Sequence, residues 1–567
     1  MITEKDIITI RTYALQNACK YGKVPQGKAV LGKVMGACPH LRRFSKDLAP
    51  ILREIINDIS KKNINEWEQE LKEIAPELFE VIGVKKEVQK GLKPLSVKDG
   101  DMIVLRFAPN PNGPATLGSA RGIIVNSEYA KIYNGKFIVR FDDTDPNIKR
   151  PMLEAYNWYL EDCEWLDAKP NKTIIASDRL DIYYNYAEKL IQKGHAYICF
   201  CKGDEFKKFK DNKESCPHRI QNSDWNLMHW KKMLEGKYEE KEAILRIKTD
   251  ITNKDPALRD FGAFRIVKTS HPRNEVDLKY VVWPLLDFES AIEDYELGIS
   301  HIIRGKDLMD SEKRQKYIYE YFGWKYPKTI YWGRIKIHEF GKFSTSELKK
   351  LIESGEYSGW DDPRVPTIRS IRKRGISPLA LRKFMIELGV GSTDISISLD
   401  TLYAENRKII DAKANRYFFV WNPIELEVLG DMPRIANPTI HPTEDKGYRE
   451  IAVEDNIYLC KDDVDKLNIG EEVRLKDLCN IKIISKSPLK AEYTDNSIGI
   501  NKMRIIHWVP INGISIKVLA PHGEFNGIGE KGILNELDSV VQFERFGYVR
   551  IDSIKEEKEV IAYYAHK

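Results

Sequence analysis

The spacing of apolar positions divides the chain into a helical, an α/β and a β-rich part. Over residues 47–82 apolar residues recur at intervals of three and four with charged residues between them, which is typical of amphipathic helices. From about residue 101 the pattern becomes strand, helix, strand, and this βαβ rhythm predicts a parallel sheet. From about residue 421 short alternating runs separated by Asn, Asp, Gly and Pro predict a β-barrel region.

These changes of pattern predict the domain organisation of an α/β protein with a Rossmann-type parallel sheet. A chain of 567 residues is too long for one hydrophobic core. The rhythm of strands and helices is interrupted between about 196 and 280, which predicts an inserted domain. The predicted segments are a helical N-terminal extension (1–98), two halves of the α/β domain (99–195 and 281–350), the insertion (196–280), a helical connector (351–420) and the barrel region (421–567).

Composition narrows the class of protein only slightly. Hydrophobic residues make up 42% and charged residues 31%, as in an ordinary globular protein. No apolar run approaches the roughly 20 residues of a membrane helix, and the N-terminus lacks a secretory signal, so we expect a cytoplasmic protein without a membrane partner. The net charge of +5 permits a nucleic-acid partner but does not establish one. The eight cysteines are too dilute for a disulfide scaffold.

A turn rich in proline and glycine follows the first strand of the α/β part. Residues 106–122 read RFAPNPNGPATLGSARG and lead into a predicted helix. Gly113 and Gly118 allow the backbone to approach a ligand, and the start of a helix offers N–H groups to phosphate. A purely structural turn is the alternative, since such turns are common. A second polar run, RFDDTDP at 140–146, follows the next strand, and both lie where parallel sheets bind ligands.

A basic and hydroxyl-rich run, KFSTSELKK, occupies residues 342–350. Ser344 or Thr345 as an N-cap would explain this run as an ordinary helix start. The alternative is a mobile loop that delivers Lys342 to a polyphosphate. The run by itself favours the ordinary helix start.

Three cysteines and a histidine form two close pairs inside the predicted insertion. Fourteen residues separate Cys199 and Cys201 from Cys216 and His218. Two pairs of soft ligands are what a tetrahedral structural Zn²⁺ requires, so this spacing indicates a zinc site. Three buried thiols beside a surface histidine are the alternative.

Five motifs in a fixed order carry a resemblance to a known family. The order is RFAPNPNGPATLGSARG, RFDDTDP, SDRLDIYYNYAEKLI, HIIRGKDL and KFSTS. In this order they resemble class I aminoacyl-tRNA synthetases and, more narrowly, glutamyl-tRNA synthetases of the archaeal type. The likeness extends over essentially the whole chain, to the closing VQFERFGYVRID. The first motif stands at the family's HIGH position and residues 342–346 at its KMSKS position.

The resemblance implies a reaction and a role for each segment. Glutamate attacks the α-phosphate of ATP, with Mg²⁺ present, and the glutamyl group then passes to the terminal adenosine of tRNA-Glu. Catalysis of this kind is positioning plus stabilisation of phosphate charge. The insertion would bind the tRNA acceptor end, the C-terminal barrels would bind the anticodon, and we expect a monomer.

The resemblance also assigns individual residues. Those expected to act in catalysis are Thr116, Gly118, Ser119 and Lys342. Those expected to bind ATP are Pro109, Pro111, Gly113, Leu117, Ser344, Thr345 and Ser346. Those expected to bind glutamate are Arg106, Asn110, Asp142 and Arg304, with Arg106 and Arg304 facing carboxylates and Asp142 holding the ammonium group. The zinc ligands implied by the cysteine pattern of some glutamate enzymes are Cys199, Cys201, Cys216 and His218.

Four positions depart from the family's pattern. The family has His at position 116 and often at 119, where this chain has Thr and Ser, and Thr345 replaces the second lysine of KMSKS. Leu286 stands where family members tend to have Tyr, which removes a hydroxyl from the pocket. We interpret the site as modified but working. A catalytically silent tRNA-binding relative is the alternative, and glutamine specificity is disfavoured by Arg304, since the glutamine-specific enzymes typically lack arginine there.

Overall fold

A computed structural model describes residues 2–76, 78, 91–98, 100–273, 276, 279–340, 345–497 and 503–567. The chain forms two compact units, Met1–Lys90 and Gly91–Lys567. The helices of the first unit are α1 (Glu4–Tyr21), α2 (Gly27–Ala37), α3 (Ser45–Ser60) and α4 (Ile64–Ile74).

The described part of the periodic stretch 47–82 is divided between α3 and α4. A break separates α3 from α4 because the Asn63 side chain accepts hydrogen bonds from the backbone N–H groups of Asn65 and Glu66, and the Glu66 carboxylate accepts one from the Asn63 N–H in return. This capping box satisfies N–H groups that would otherwise lack partners at a helix start.

The second unit is built around a parallel sheet, as predicted. The strands are β1 (Val104–Phe107), β2 (Lys136–Phe141), β3 (Lys172–Ile175), β8 (His301–Gly305) and β9 (Lys328–Trp332). β1 pairs with β2, β2 with β3, and β8 with β9, all in parallel. The Ser300 N–H donates to the Val104 carbonyl at 3.0 Å, which places β8 beside β1. The strand order is therefore β3-β2-β1-β8-β9.

Helices cover this sheet and continue into the connector. Their bounds are α5 (Leu117–Ile132), α6 (Leu153–Trp165), α7 (Leu180–Gln192), α10 (Leu286–Glu296), α11 (Met309–Phe322), α12 (Thr345–Glu353), α13 (Ile368–Lys373), α14 (Pro378–Leu388) and α15 (Asp400–Ile410). α5 is buried on most of its surface because it packs between β1 and α14. The connector is not wholly helical: β11 (Ile395–Ile397) pairs in parallel with β10 (Ile335–Ile337), since the alternating ISI run suits a strand.

An antiparallel sheet interrupts the parallel one. It is built from β4 (Ala196–Cys199), β5 (Ile244–Ile247), β6 (Phe261–Ile266) and β7 (Val282–Pro284), in that order. Helices α8 (Gly203–Asn212) and α9 (Ser223–Leu234) lie between β4 and β5 in the chain. Trp230 and Trp283 are fully buried in the core of this region.

Two seven-stranded sheets form the C-terminal region, which confirms the predicted barrel-like architecture. The strands of the first, in spatial order, are β12 (Arg416–Tyr417), β25 (Val540–Phe543), β26 (Gly547–Lys555), β27 (Glu559–His566), β23 (Ile514–Ala520), β24 (Gly523–Gly529) and β13 (Phe419–Trp421). Those of the second are β21 (Arg504–Ile506), β18 (Glu472–Leu475), β19 (Asn480–Lys486), β20 (Leu489–Asp495), β14 (Pro423–Leu429), β17 (Asn456–Cys460) and β22 (Trp508–Pro510).

Three small elements complete the C-terminal region. These are α16 (Lys461–Val464) and a two-stranded pair, β15 (Ile435–Ala436) and β16 (Ile451–Ala452). Across the described parts of the chain, none of the helices combines the length and the apolar character needed to cross a membrane.

Candidate active site

A cavity of about 550 Å³ opens at the carboxyl ends of β1, β2 and β8. Its walls include all four residues that the sequence assigned to glutamate, namely Arg106, Asn110, Asp142 and Arg304. They come from the ends of three different strands, which converge only because the strands are parallel neighbours. Leu286, the residue that departs from the family's tyrosine, also lines this cavity.

A network of buried charges forms the base of the cavity. Arg140 donates to Asp142 from Nε at 2.6 Å and from Nη2 at 3.1 Å, and to Asp294 from Nη1 at 2.9 Å. Arg106 donates to both carboxylate oxygens of Asp294, at 3.1 and 3.2 Å. Burial alone would raise the pKa of Asp294, but the charges of Arg106 and Arg140 outweigh it and hold the pKa below its usual range. The network fixes Asp142 in place.

Arg304 has a different environment from Arg106. It is 5% exposed, and its Nη2 donates to the side-chain oxygen of Gln315 at 3.0 Å and to the hydroxyl of Tyr326 at 2.8 Å. Both partners are neutral, and its buried Nε has no hydrogen-bond partner. Among the residues that the structure describes, no carboxylate is hydrogen-bonded to this guanidinium. A buried cation in this state is suited to an anionic ligand group.

The start of α5 holds the hydroxyls predicted to meet ATP. Thr116 is the N-cap: its Oγ1 accepts from the Ser119 N–H at 3.3 Å and lies 3.3 Å from the Ser119 hydroxyl. Gly118 is exposed at this helix start. These three residues lie together, outside the walls of the cavity. Leu117 is 1% exposed and packs in the core, and its backbone N–H donates to the Pro366 carbonyl at 3.0 Å, so neither group is free to meet a ligand in this structure.

The prolines of the turn position it through their carbonyl groups. The Pro109 carbonyl accepts from the Asp142 N–H at 2.9 Å, and the Pro111 carbonyl accepts from the Met152 N–H at 2.8 Å. Both prolines are buried. The first bond joins the turn directly to the segment that follows β2.

The Pro-Gly turn meets the start of α12. A Cβ atom placed on Gly113 would come within 2.5 Å of Cγ2 of Thr345, so the turn accepts no larger residue without a shift. Thr345 is the first residue of α12, and Ser346 beside it is exposed. The two motifs assigned to ATP are thus in contact through these residues. Lys342 and Ser344 lie outside the described residues.

The structure brings the three cysteines and His218 together. Sγ of Cys199 lies 3.9 Å from Sγ of Cys216, and Sγ of Cys201 lies 3.4 Å from Nδ1 of His218. All four ligand atoms lie within 4.8 Å of one another. In a tetrahedral zinc site the ligand atoms stand roughly 3.5 to 3.8 Å apart. The cluster is therefore consistent with a zinc site.

Several residues of the cavity were not predicted from the sequence. Arg140, Glu289, Ser290 and Gln315 line it, and Asp294 lies just behind. Glu289 accepts a hydrogen bond from the Thr144 hydroxyl, and burial raises its pKa well above the usual range. The signal available was the spacing of polar residues at 289, 290, 293 and 294, which places them on one face of α10.

Comparisons with known proteins agree over the full length of the chain. The family model described as "tRNA synthetases class I (E and Q), catalytic domain" matches residues 102–412, and two models of the anti-codon binding domain match 414–495 and 505–552. The chain is 62% identical to a glutamate--tRNA ligase of Methanosarcina acetivorans and 64% identical to one of Methanococcoides burtonii, with 100% of both chains covered in each case.

A solved structure of a glutamate tRNA ligase from Elizabethkingia meningosepticum overlaps only loosely. It has 23% sequence identity and a TM-score of 0.39, and the match covers 56% of this chain and 71% of that chain. The family assignment depends on the sequence models and the curated relatives, which span the parallel sheet, the cavity and the C-terminal sheets. The chain belongs to the class I tRNA synthetases for glutamate and glutamine.

Proposed function

We propose that this protein is a glutamate–tRNA ligase, which activates glutamate with ATP and transfers it to tRNA. The observation that carries the proposal is Arg304, a buried cation that lines the cavity and is hydrogen-bonded only to neutral groups. A γ-carboxylate supplies the missing anion, whereas the carboxamide of glutamine does not need the charge. The curated relatives at 62% and 64% identity are named as glutamate--tRNA ligases.

We assign ATP to the start of α5. Hydroxyls of Thr116 and Ser119 donate to phosphate oxygens, Gly118 lets the nucleotide lie against the backbone, and the helix dipole favours negative charge there. Thr116 and Ser119 already share a local hydrogen bond, so binding exchanges that bond for bonds to phosphate. Lys342 would add a cation on the pyrophosphate side. Mg²⁺ enters with the phosphates of ATP, and no side chain of this chain is assigned to it.

We infer that the tRNA contacts two regions of the chain. The segment 196–280 would bind the acceptor end, and the two C-terminal sheets in 421–567 would bind the anticodon. The segment 351–420 would link the α/β domain to these sheets. The match of anti-codon binding models to 414–495 and 505–552 supports the assignment of the anticodon. We propose tRNA-Glu as the partner, a cytoplasmic location, and a monomer.

We propose a structural zinc ion at the cysteine cluster. Three thiolates and one imidazole are a common tetrahedral ligand set for Zn²⁺, and the distances in the cluster fit such a site. Burial raises the pKa of the Cys201 thiol, so a metal cation is needed to hold this ligand as thiolate near pH 7. The ion would stabilise the fold around β4 and take no part in the reaction.

Aminoacylation tests this function. Purified protein, ATP, Mg²⁺ and tRNA are incubated with labelled glutamate or labelled glutamine, on tRNA-Glu and on tRNA-Gln separately. We expect glutamate to be attached to tRNA-Glu. A protein that binds tRNA but charges it with neither amino acid would be the silent relative instead.

A further inference from the structure

Within the described part of the chain, two oxygen atoms buried at the cavity have no hydrogen-bond partner: Oδ1 of Asn110 and Oε1 of Glu289. Both residues line the cavity, and Glu289 is 1% exposed. A buried acceptor without a donor is costly, so two of them at one cavity indicate that a ligand supplies the donors.

Both side chains are held by the same short segment after β2. Nδ2 of Asn110 donates to the backbone carbonyl of Asp142 at 2.8 Å. The Thr144 hydroxyl is hydrogen-bonded to the other carboxyl oxygen of Glu289, Oε2. Each residue thus uses one polar atom to fix its orientation and keeps the other one without a partner. The two anchoring groups, the Asp142 carbonyl and the Thr144 hydroxyl, lie within three residues of the chain.

The ligand group that fits is a primary ammonium. An ammonium has three N–H donors and no acceptor, and it requires an anion nearby. Asp142 supplies the anion and one acceptor, while Asn110 and Glu289 supply the other two. Leu286, at the same cavity, contributes no polar atom, so it cannot take this role.

We propose that Oε1 of Glu289 accepts a hydrogen bond from the α-ammonium group of the bound amino acid. It completes, with Asp142 and Asn110, a set of three acceptors for three donors. This inference rests on the proposed function, since it takes glutamate as the ligand. It makes Glu289 a binding residue for the substrate that the sequence motifs do not include.

The surroundings of Glu289 raise the pKa of its carboxyl group well above the usual range. Burial is the largest cause and the negative charge of Asp142 the next, with a smaller contribution from Asp143, while the charge of Arg140 and the hydrogen bond from Thr144 oppose this only in part. Tyr183 on α7 faces Glu289 as well. The Thr144 hydroxyl donates to Oε2, and Oε1 remains as an acceptor. Glutamine at this position keeps an oxygen for the ligand, since the Thr144 hydroxyl accepts from the amide nitrogen instead.

The test compares glutamate with glutarate, which has both carboxylates and lacks the ammonium group. Affinities for both are measured by calorimetry on wild type, Glu289→Gln and Glu289→Met in the full-length protein. We expect Glu289→Met to weaken the binding of glutamate by about tenfold or more, because a hydrogen bond to a charged group is lost. The affinity for glutarate should change little. We expect Glu289→Gln to bind glutamate within about threefold of wild type.

The two ligands and the glutamine variant separate this role from a structural one. If Glu289→Met weakens the binding of glutarate as much as that of glutamate, or changes neither affinity, Glu289 does not contact the ammonium group. If Glu289→Gln loses as much affinity for glutamate as Glu289→Met does, the proposal is also overturned. If the wild-type protein binds no glutamate, the proposed function itself is overturned. That result is distinct from variants that bind glutamate and glutarate with the same ratio of affinities as wild type.

Discussion

Arg106 and Asp294 form a two-point ion pair beneath the cavity, with Nε and Nη2 of Arg106 at 3.1 and 3.2 Å from the two carboxylate oxygens. The charge of Arg106 is therefore paired directly with a carboxylate, whereas Arg304 has no hydrogen-bonded carboxylate among the described residues and feels only the more distant charges of Asp294 and Glu312. Both arginines were predicted from the sequence to face carboxylates of the substrate. The structure gives them unequal environments, and Arg304 is the one suited to read a side-chain carboxylate.

Asp294→Asn should destabilise the protein strongly. Asp294 accepts hydrogen bonds from two buried arginines, and its removal leaves Arg106 and one side of Arg140 uncompensated, at a cost of about 3–5 kcal/mol. The pKa of Asp294 is lowered in the folded state, so its stabilising contribution is present above the unfolded value near about 4 and is lost as the pH falls through the folded value. Scanning calorimetry at pH 7 should show a lower melting temperature.

The exposed Asp431 provides the matched control for that measurement. Asp431→Asn makes the same chemical change outside the network and should leave the melting temperature nearly unchanged. Equal melting temperatures for the two variants would contradict the importance of the Arg106–Asp294 pair.

Gly113→Ala should slow aminoacylation, and Thr345→Ser should restore it. The added Cβ would clash with Cγ2 of Thr345, and the serine variant removes that methyl group while keeping the hydroxyl. Overpacking of this kind costs about 1–3 kcal/mol, or roughly 5- to 150-fold if it is expressed in the rate. The measurement is kcat for the two single variants and the double variant. A double variant as slow as Gly113→Ala would show that the contact with Thr345 is not the cause.

Asp162→Asn should remove a pH dependence of stability. Asp162 is fully buried, neither carboxylate oxygen has a hydrogen-bond partner, and burial raises its pKa to about 7. Between about pH 4 and 7 the unfolded chain has lost this proton while the folded chain keeps it, so stability falls by about 1.4 kcal/mol per pH unit. The free energy of unfolding of the variant should therefore increase relative to that of wild type as the pH rises to 7. Above pH 7 the difference between the two should stay constant.

Melting temperatures of wild type and Asp162→Asn across pH 4 to 8 test this expectation. The exposed Glu164 on the same helix is the control, and Glu164→Gln should follow the wild-type curve. A constant difference between wild type and Asp162→Asn over that range would mean that Asp162 is ionised in the folded protein throughout.

Protein purified without chelators should contain about one zinc per chain. Cys216→Ser should abolish most of that zinc, because it removes a ligand from the cluster, whereas Cys19→Ser lies outside the cluster and should keep it. Metal analysis gives the content, and hydrogen exchange should show loosening around β4 while β1 and β2 stay protected. Full zinc content in Cys216→Ser, or none in wild type, would rule the site out.

Periodicity and motif order were sufficient to predict the architecture. The change from helical spacing to a βαβ rhythm predicted the parallel sheet, and the alternating runs after about 421 predicted the C-terminal sheets. Periodicity did not predict the break at Asn63, because capping there is a local choice of hydrogen bonds within a continuous apolar pattern. Strand β11 was missed for a similar reason: three residues pair with a strand that lies far away in the chain.

The cavity was predicted only in part. Arg106, Asn110, Asp142 and Arg304 belong to short motifs at strand ends, and the structure brings them to one cavity. Glu289 lies instead in the first turn of α10, where the positive end of the helix dipole is the ordinary explanation for an acidic residue. Its burial depends on how α10 packs against α11 and β6, a relationship that no single sequence segment contains.

We assign Arg304 to the side-chain carboxylate of glutamate, and kcat/KM for glutamate and for glutamine, measured in wild type and Arg304→Ala, decides whether Arg304 reads that group. Loss of a charge-assisted pair in a desolvated pocket costs about 2–5 kcal/mol, so kcat/KM for glutamate should fall by about 30-fold or more. The fall in kcat/KM for glutamine should be smaller, and the KM for ATP should stay unchanged. Arg304→Lys should recover only part of the loss for glutamate, because lysine lacks the planar guanidinium fork. Equal losses of kcat/KM for glutamate and glutamine in Arg304→Ala would show that Arg304 does not read the side-chain carboxylate.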